Sequence, residues 1–135
     1  MTAIIKDHHP KAKIYLFQTW AREATHKIYN DNFSGGPKQM FEELRASYHE
    51  AAEKLDATLI PCGDAWELSI QTRPSLNLYA KDRYHATTTG SYLNALVIYA
   101  VMNDADPRGL PPLATLTEEQ ATYLQEIAWK TLHKD

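Results

Sequence analysis

Asp82-Arg83-Tyr84-His85 places a carboxylate three residues before an imidazole, just ahead of an amphipathic segment that starts at Ala86-Thr87-Thr88-Thr89-Gly90. At that spacing the acid can turn back onto Nδ1 and leave Nε2 free to act as a base. An acid-oriented histidine is two thirds of a nucleophile–histidine–acid machine. The residue types alone also allow a plainer arrangement, a capping aspartate and a surface histidine before a helix. The missing third is a serine or cysteine nucleophile. Ser34 lies in the Gly-rich stretch Asn32-Phe-Ser-Gly-Gly-Pro37, but it follows no strand directly and opens no Gly-x-Ser-x-Gly elbow. Ser91 falls on the helix after His85 and reads as structural. Cys62 ends the apolar run Thr58-Leu-Ile-Pro-Cys62 and reads as a buried thiol.

The elements that must carry these groups follow from periodicity and breakers. Residues 1–8 suit a short helix stopped by Pro10. Ile14-Tyr-Leu-Phe17 is a continuous apolar run and suits a strand buried on both faces. Pro37 opens a helix over 37–55, with Met40, Phe41, Leu44, Tyr48, Ala51, Ala52 and Leu55 on one stripe. Residues 57–60 form a second short strand. Asp64 caps a helix through 72, which Pro74 stops. Thr88 or Thr89 caps a helix to 102, with Tyr92, Leu93, Leu96, Ile98 and Tyr99 as its apolar stripe. Residues 104–112 form a turn-rich linker. Thr117-Glu-Glu-Gln120 is a capping box for a last helix to 133, its stripe being Ala121, Leu124, Ile127, Ala128 and Leu132.

Strands separated by helices predict parallel pairing in a layered α/β fold. Two short parallel strands make a poor sheet, because such sheets are buried on both faces and normally hold more strands. The expectation is therefore one domain over 1–135 with about two strands and about four helices, to which further strands belong.

Three segments together resemble the C-terminal half of an SGNH/GDSL-type serine hydrolase. Pro10-Lys-Ala-Lys-Ile-Tyr-Leu-Phe-Gln-Thr-Trp-Ala-Arg22 resembles the family's late central strand and the loop after it. Leu59-Ile-Pro-Cys-Gly-Asp-Ala-Trp66 resembles the next strand and helix start. Asp82-Arg-Tyr-His85 with Thr89-Gly-Ser-Tyr-Leu93 is similar to its last block. The resemblance implies a flavodoxin-like three-layer α/β/α fold with a parallel sheet, truncated at the N-terminus. It makes His85 the general base and Asp82 the group that holds its tautomer. It implies ester hydrolysis on a lipid, acyl or carbohydrate ester, with no cofactor. The family's Gly-Asp-Ser or Gly-Asn-Ser nucleophile and its glycine and asparagine oxyanion donors have no counterpart in this sequence. Loss of one oxyanion donor typically costs ~2.7–4 kcal/mol of transition-state stabilisation, so the 135-residue chain is expected to have no appreciable esterase activity alone.

Gln18, Thr19, Trp20 and Arg22 follow the end of a strand, where open α/β sheets bind ligands. Gln18, Trp20 and Tyr84 are the expected substrate-pocket residues, with Tyr79 and Tyr84 flanking the base. His8 and His9, taken with His26 or His49, have no convincing metal-ligand spacing, so no metal site is assigned. A net charge of −3 and a pI of about 6.0 argue against a nucleic-acid partner. No apolar run reaches the ~18 residues that span a membrane, and Met1-Thr-Ala-Ile-Ile-Lys-Asp-His8 has no signal-peptide pattern. A cytoplasmic location is expected for the chain as written, with longer relatives exported. The alternative to an ester hydrolase is a non-catalytic scaffold domain, pairing as a homodimer or with a partner chain through its open sheet edge.

Overall fold

The computed structural model describes residues 2–133. Met1 and residues 134 and 135, at the ends of the expected 1–135 domain, lie outside the described residues. The order is α1 (Thr2–His8), β1 (Tyr15–Phe17), α2 (Ile28–Asp31), α3 (Gly36–Leu55), β2 (Thr58–Ile60), α4 (Cys62–Thr72), α5 (Thr88–Asn103) and α6 (Glu118–Leu132). This is a mixed α/β fold with six helices and one small sheet among the described residues. The strands pair in parallel, with Tyr15 opposite Thr58, Leu16 opposite Leu59 and Phe17 opposite Ile60. No helix among the described residues is long and apolar enough to cross a membrane.

The core lies among α4, α5 and α6 and reaches β2 through Ile60. Trp66, Leu93, Val97 and Leu124 are fully buried, and each such side chain contributes about 1.5–3 kcal/mol or more through burial. The expected stripe of α5 is corrected. Tyr92, Leu93, Leu96, Val97 and Ala100 are buried, whereas Ile98 is half-buried and Tyr99 is 37% exposed. The helix is apolar nearly all round, so its sequence period is weak, and packing against both α4 and α6 selects the buried face. In α6 the stripe holds at Ala121, Leu124, Ile127 and Ala128, while Leu132 is half-buried. Buried Gln125 ties the 104–112 linker down. Its amide accepts from Gly109 N at 2.8 Å and donates to Leu110 O at 2.8 Å and to the Tyr92 hydroxyl at 3.0 Å.

Three further expectations differ. β1 is not buried on both faces. Phe17 is 38% exposed, and among the described residues β1 has one neighbouring strand. Asp64 is not a helix cap, because α4 begins two residues earlier at Cys62, after Pro61. The cap of α5 is Thr87 rather than Thr88 or Thr89, its side chain accepting from Gly90 N at 3.2 Å. The single-turn α2 carries neither a side-chain cap nor a buried residue, so neither signal marks it in the sequence.

Candidate functional site

The segment after β1 is clamped to the start of α4. Gln18 Nε2 donates to Asp64 Oδ1 at 3.0 Å, and Asp64 N donates back to Gln18 Oε1 at 3.1 Å. Arg45 Nε of α3 reaches the other carboxylate oxygen at 3.2 Å. The approach is close enough to require glycine at 63, where an added Cβ would lie 2.2 Å from Thr19 O. Gln18 is 0% exposed, with both ends of its amide used inside the protein. The expected pocket role of Gln18 is therefore corrected: its side chain is a buried brace between β1 and α4.

Trp20 comes next. Its ring stacks on Trp66 at 4.0 Å and 6°, and Trp66 in turn meets Tyr79 edge-on at 5.0 Å. Trp66 Nε1 donates to Asn94 Oδ1 at 2.8 Å, so the stack is anchored in α5. Trp20 Nε1 donates to Tyr84 O at 3.0 Å. Both a face and the polar edge of half-buried Trp20 thus support the loop that carries Asp82 and His85.

Two more bonds join the same segments. Glu23 N donates to Arg83 O at 3.0 Å, and an Arg83 guanidinium nitrogen donates to Thr25 O at 2.9 Å. The base of the loop is closed by the antiparallel bridge Tyr79–Ala86 and by Ala80 N to His85 O at 2.8 Å. Thr87 then starts α5. Here Gly90 passes so near Leu78 O and the Trp66 ring that an added Cβ would lie 2.6 Å from each.

Inside this frame Asp82 and His85 meet as their spacing predicts. Asp82 Oδ2 lies 2.6 Å from His85 Nδ1. Oδ1 accepts from Tyr84 N at 3.0 Å and from His85 N at 2.9 Å. These bonds hold a turn in which Arg83 has φ +61°, a left-handed conformation that costs a non-glycine residue about 1 kcal/mol or more. The imidazole and the backbone N–H groups hold the Asp82 carboxyl down to about 2, so it is ionised near neutral pH. Both side chains face solvent, His85 at 70% and Asp82 at 50%. Among the described residues Nε2 of His85 has no hydrogen-bond partner. Tyr84 is 38% exposed, packed between His85, 4.3 Å from ring to ring, and the Arg22 guanidinium, 2.9 Å from its centroid. The tautomer is thus oriented and the second nitrogen is open, which is what a general base needs.

The nucleophile candidates are not brought to it. Ser34 is exposed in the turn before α3, Ser91 is exposed on α5, and neither is hydrogen-bonded to His85. Cys62 is fully buried, and burial pushes its thiol up to about 12. That makes it an inert thiol at neutral pH. His8 ends α1 and His9 follows it, both exposed, and among the described residues no three His, Cys, Asp or Glu side chains are grouped to hold a metal ion. Sequence reasoning did not anticipate the Gln18–Asp64 clamp or the stacking of Arg22 on Tyr84. Both join residues more than forty positions apart, and no local signal marks them.

The sequence matches no protein-family model, and no curated protein matches it. The fold is similar to the 1.50 Å crystal structure of a DUF4886 family protein from Bacteroides uniformis, with a TM-score of 0.83 and 19% identity. The likeness covers 96% of this chain and 52% of that one. The chain spans about half the length of that protein, and at this identity the likeness is one of fold.

Proposed function

We propose that this chain carries the acid–base half of an SGNH-type ester hydrolase. The observation behind the reading is the Asp82–His85 pair: one carboxylate oxygen 2.6 Å from Nδ1, the other held by two backbone N–H groups, and an exposed imidazole. On this reading His85 Nε2 takes the proton of a serine supplied by a Gly-Asp-Ser or Gly-Asn-Ser segment outside these 135 residues. It then returns that proton to the leaving alcohol, while Asp82 stabilises the imidazolium. The strands that would make a three-layer, flavodoxin-like sheet come from the same outside segment and add to the open edge of β1. Support for that comes from β1 having one strand neighbour among the described residues and from the half-length overlap with the structural neighbour.

The test has two arms. The reading frame upstream of Met1 is sequenced, and the longest polypeptide it encodes is assayed with p-nitrophenyl acetate beside the 135-residue chain. The expected result is a nucleophile block in the longer polypeptide, turnover by it that His85→Ala abolishes, and none by the short chain. Turnover by the short chain that depends on His85 would refute the missing nucleophile. A longer polypeptide in which His85→Ala has no effect would refute the role of His85.

A second reading is favoured by the 38% exposure of Phe17 on β1. It is a non-catalytic scaffold domain that pairs through this strand. Light scattering separates the two at this point, since a monomer across a wide concentration range removes self-pairing.

A further inference from the structure

Behind the β1 exit lies a cavity of about 570 Å³ that neither Asp82 nor His85 lines. Its size is that of a small-molecule site. Ile70, Leu76, Leu78 and Tyr79 give it an apolar wall, and Arg22, Glu23, Lys38 and Glu67 bring charge to it. The first turn of α3 closes one side and holds no acidic residue, which adds a weak positive field.

The charges are unequally engaged. Glu23 accepts from the Thr25 hydroxyl at 2.6 Å and from Thr25 N at 3.0 Å, and Arg83 lies 3.9 Å away. Glu67 accepts from Gln71 at 2.7 Å. Arg22 stacks on the Tyr84 ring, 2.9 Å from its centroid, but has no hydrogen-bond or ion-pair partner among the described residues. Its Nε is buried with no hydrogen bond among the described residues, and its guanidinium enters no ion pair there. An anion in the cavity cannot reach the buried Nε, but the terminal guanidinium nitrogens have no hydrogen bond or ion pair among the described residues and could hold a carboxylate. Lys38, with an 82% exposed side chain and its nearest carboxylate 3.9 Å away, is free to swing over the same opening. Glu23 and Glu67 decide the kind of anion. They repel a doubly charged phosphate more than a single carboxylate, while the apolar wall rewards a hydrocarbon body.

We propose that this cavity binds a small monocarboxylate with an apolar body. The carboxylate sits on Arg22, Lys38 closes over it, and the hydrocarbon lies against Ile70, Leu76 and Tyr79. The site stands apart from the ester-hydrolase reading, because its ligand touches neither Asp82 nor His85 and its test reads binding rather than turnover.

The test is calorimetry or ligand-observed NMR on the 135-residue chain with hexanoate, hexanol, hexylamine and inorganic phosphate as probes. Hexanoate is expected to bind saturably, with hexanol about tenfold weaker or more, since a charge-assisted bond is lost. Hexylamine and phosphate are expected not to compete. Arg22→Gln weakens hexanoate about tenfold, Lys38→Gln weakens it less, and Glu67→Gln tightens it. Absence of saturable hexanoate binding, equal binding of hexanol, or displacement by phosphate each overturns the proposal. So does an Arg22→Gln variant with native circular dichroism and unchanged affinity. Should Arg22→Gln not fold, the opposite shifts of Lys38→Gln and Glu67→Gln decide the matter, and two unshifted affinities overturn it.

Discussion

Gln18→Leu separates a structural role from a pocket role for the residue at the end of β1. Leucine is close in volume to glutamine, so the change leaves little cavity and removes chiefly two hydrogen bonds. One is the amide donor to the Asp64 carboxylate at 3.0 Å, and the other is the acceptor for Asp64 N at 3.1 Å. A bond to a charged group is worth about 1.5–3 kcal/mol and a neutral one about 0.5–1.5 kcal/mol. Gln18 is 0% and Asp64 6% exposed, so water does not replace the lost bonds, and a total near 3 kcal/mol is expected. At roughly 4 °C per kcal/mol for a domain of this size, Tm should fall by about 12 °C. The assay is thermal unfolding followed by circular dichroism for the wild type, Gln18→Leu, Asp64→Leu and the double variant. The double variant should lose less than the sum of the singles, by about 1–3 kcal/mol, because each single strands a buried partner. A fall of less than about 3 °C in Gln18→Leu, or strict additivity in the cycle, refutes the brace and returns Gln18 to the list of groups available to a ligand.

Trp20→Phe removes the N–H donated to Tyr84 O at 3.0 Å and keeps part of the stack on Trp66. The loss is about 1 kcal/mol, so Tm should fall by about 4 °C, and hydrogen exchange at the Tyr84 and His85 amides should speed up. Gly90→Ala puts a methyl group 2.6 Å from Leu78 O and from the Trp66 ring. The overpacking of about 1–3 kcal/mol outweighs the gain of about 1 kcal/mol in helix propensity, so Tm falls, and a rise would contradict the packing. Asp82, held down to about 2 chiefly by its bond to His85, should titrate closer to the ordinary value of about 3.9 in His85→Ala, as read by carboxyl carbon NMR. The sign follows from the depressed value: whatever stability the bond adds is complete above about pH 4 and is lost as the pH falls through about 2.

Local chemistry made part of this fold readable. Pro37 opens α3 one residue after its start, Thr117 and Gln120 form the reciprocal capping box of α6, and the two apolar runs become the parallel strands. The contact between Asp82 and His85 was readable for the same reason, since it spans three residues and one turn of chain. Long-range partners were not. Asp64 looks like a helix cap by type and position, yet its carboxylate belongs to Gln18 and Arg45, 46 and 19 residues away. Trp20 was expected in a pocket, and no local signal marks its stacking on Trp66, 46 residues away. Three consecutive threonines, 87–89, offer three equivalent caps, and the bond from Thr87 N to Leu78 O at 2.9 Å selects the first.

Asp82 and His85 are exposed, so burial cannot be what fixes their geometry. Exposed side-chain pairs are ordinarily worth little and wander. Here the order comes from the backbone beneath them. The carbonyls of Tyr84 and Arg83 are each held by the β1 exit, at 3.0 Å from Trp20 Nε1 and 3.0 Å from Glu23 N. Trp20 passes that restraint through its stack to Trp66, which is 0% exposed and bonded to Asn94 of α5. The loop is therefore referenced to the core through an aromatic column and to the sheet through the chain itself. On the proposed reading that is the requirement for a base whose proton comes from a group outside the chain: it has to be open to its partner and fixed before the partner arrives. Weakening the column at Trp20 should then loosen the pair without unfolding the domain, whereas weakening the brace at Gln18 should lower the stability of the whole by more. The two substitutions lie two residues apart, and only a division of labour of this kind makes their effects differ.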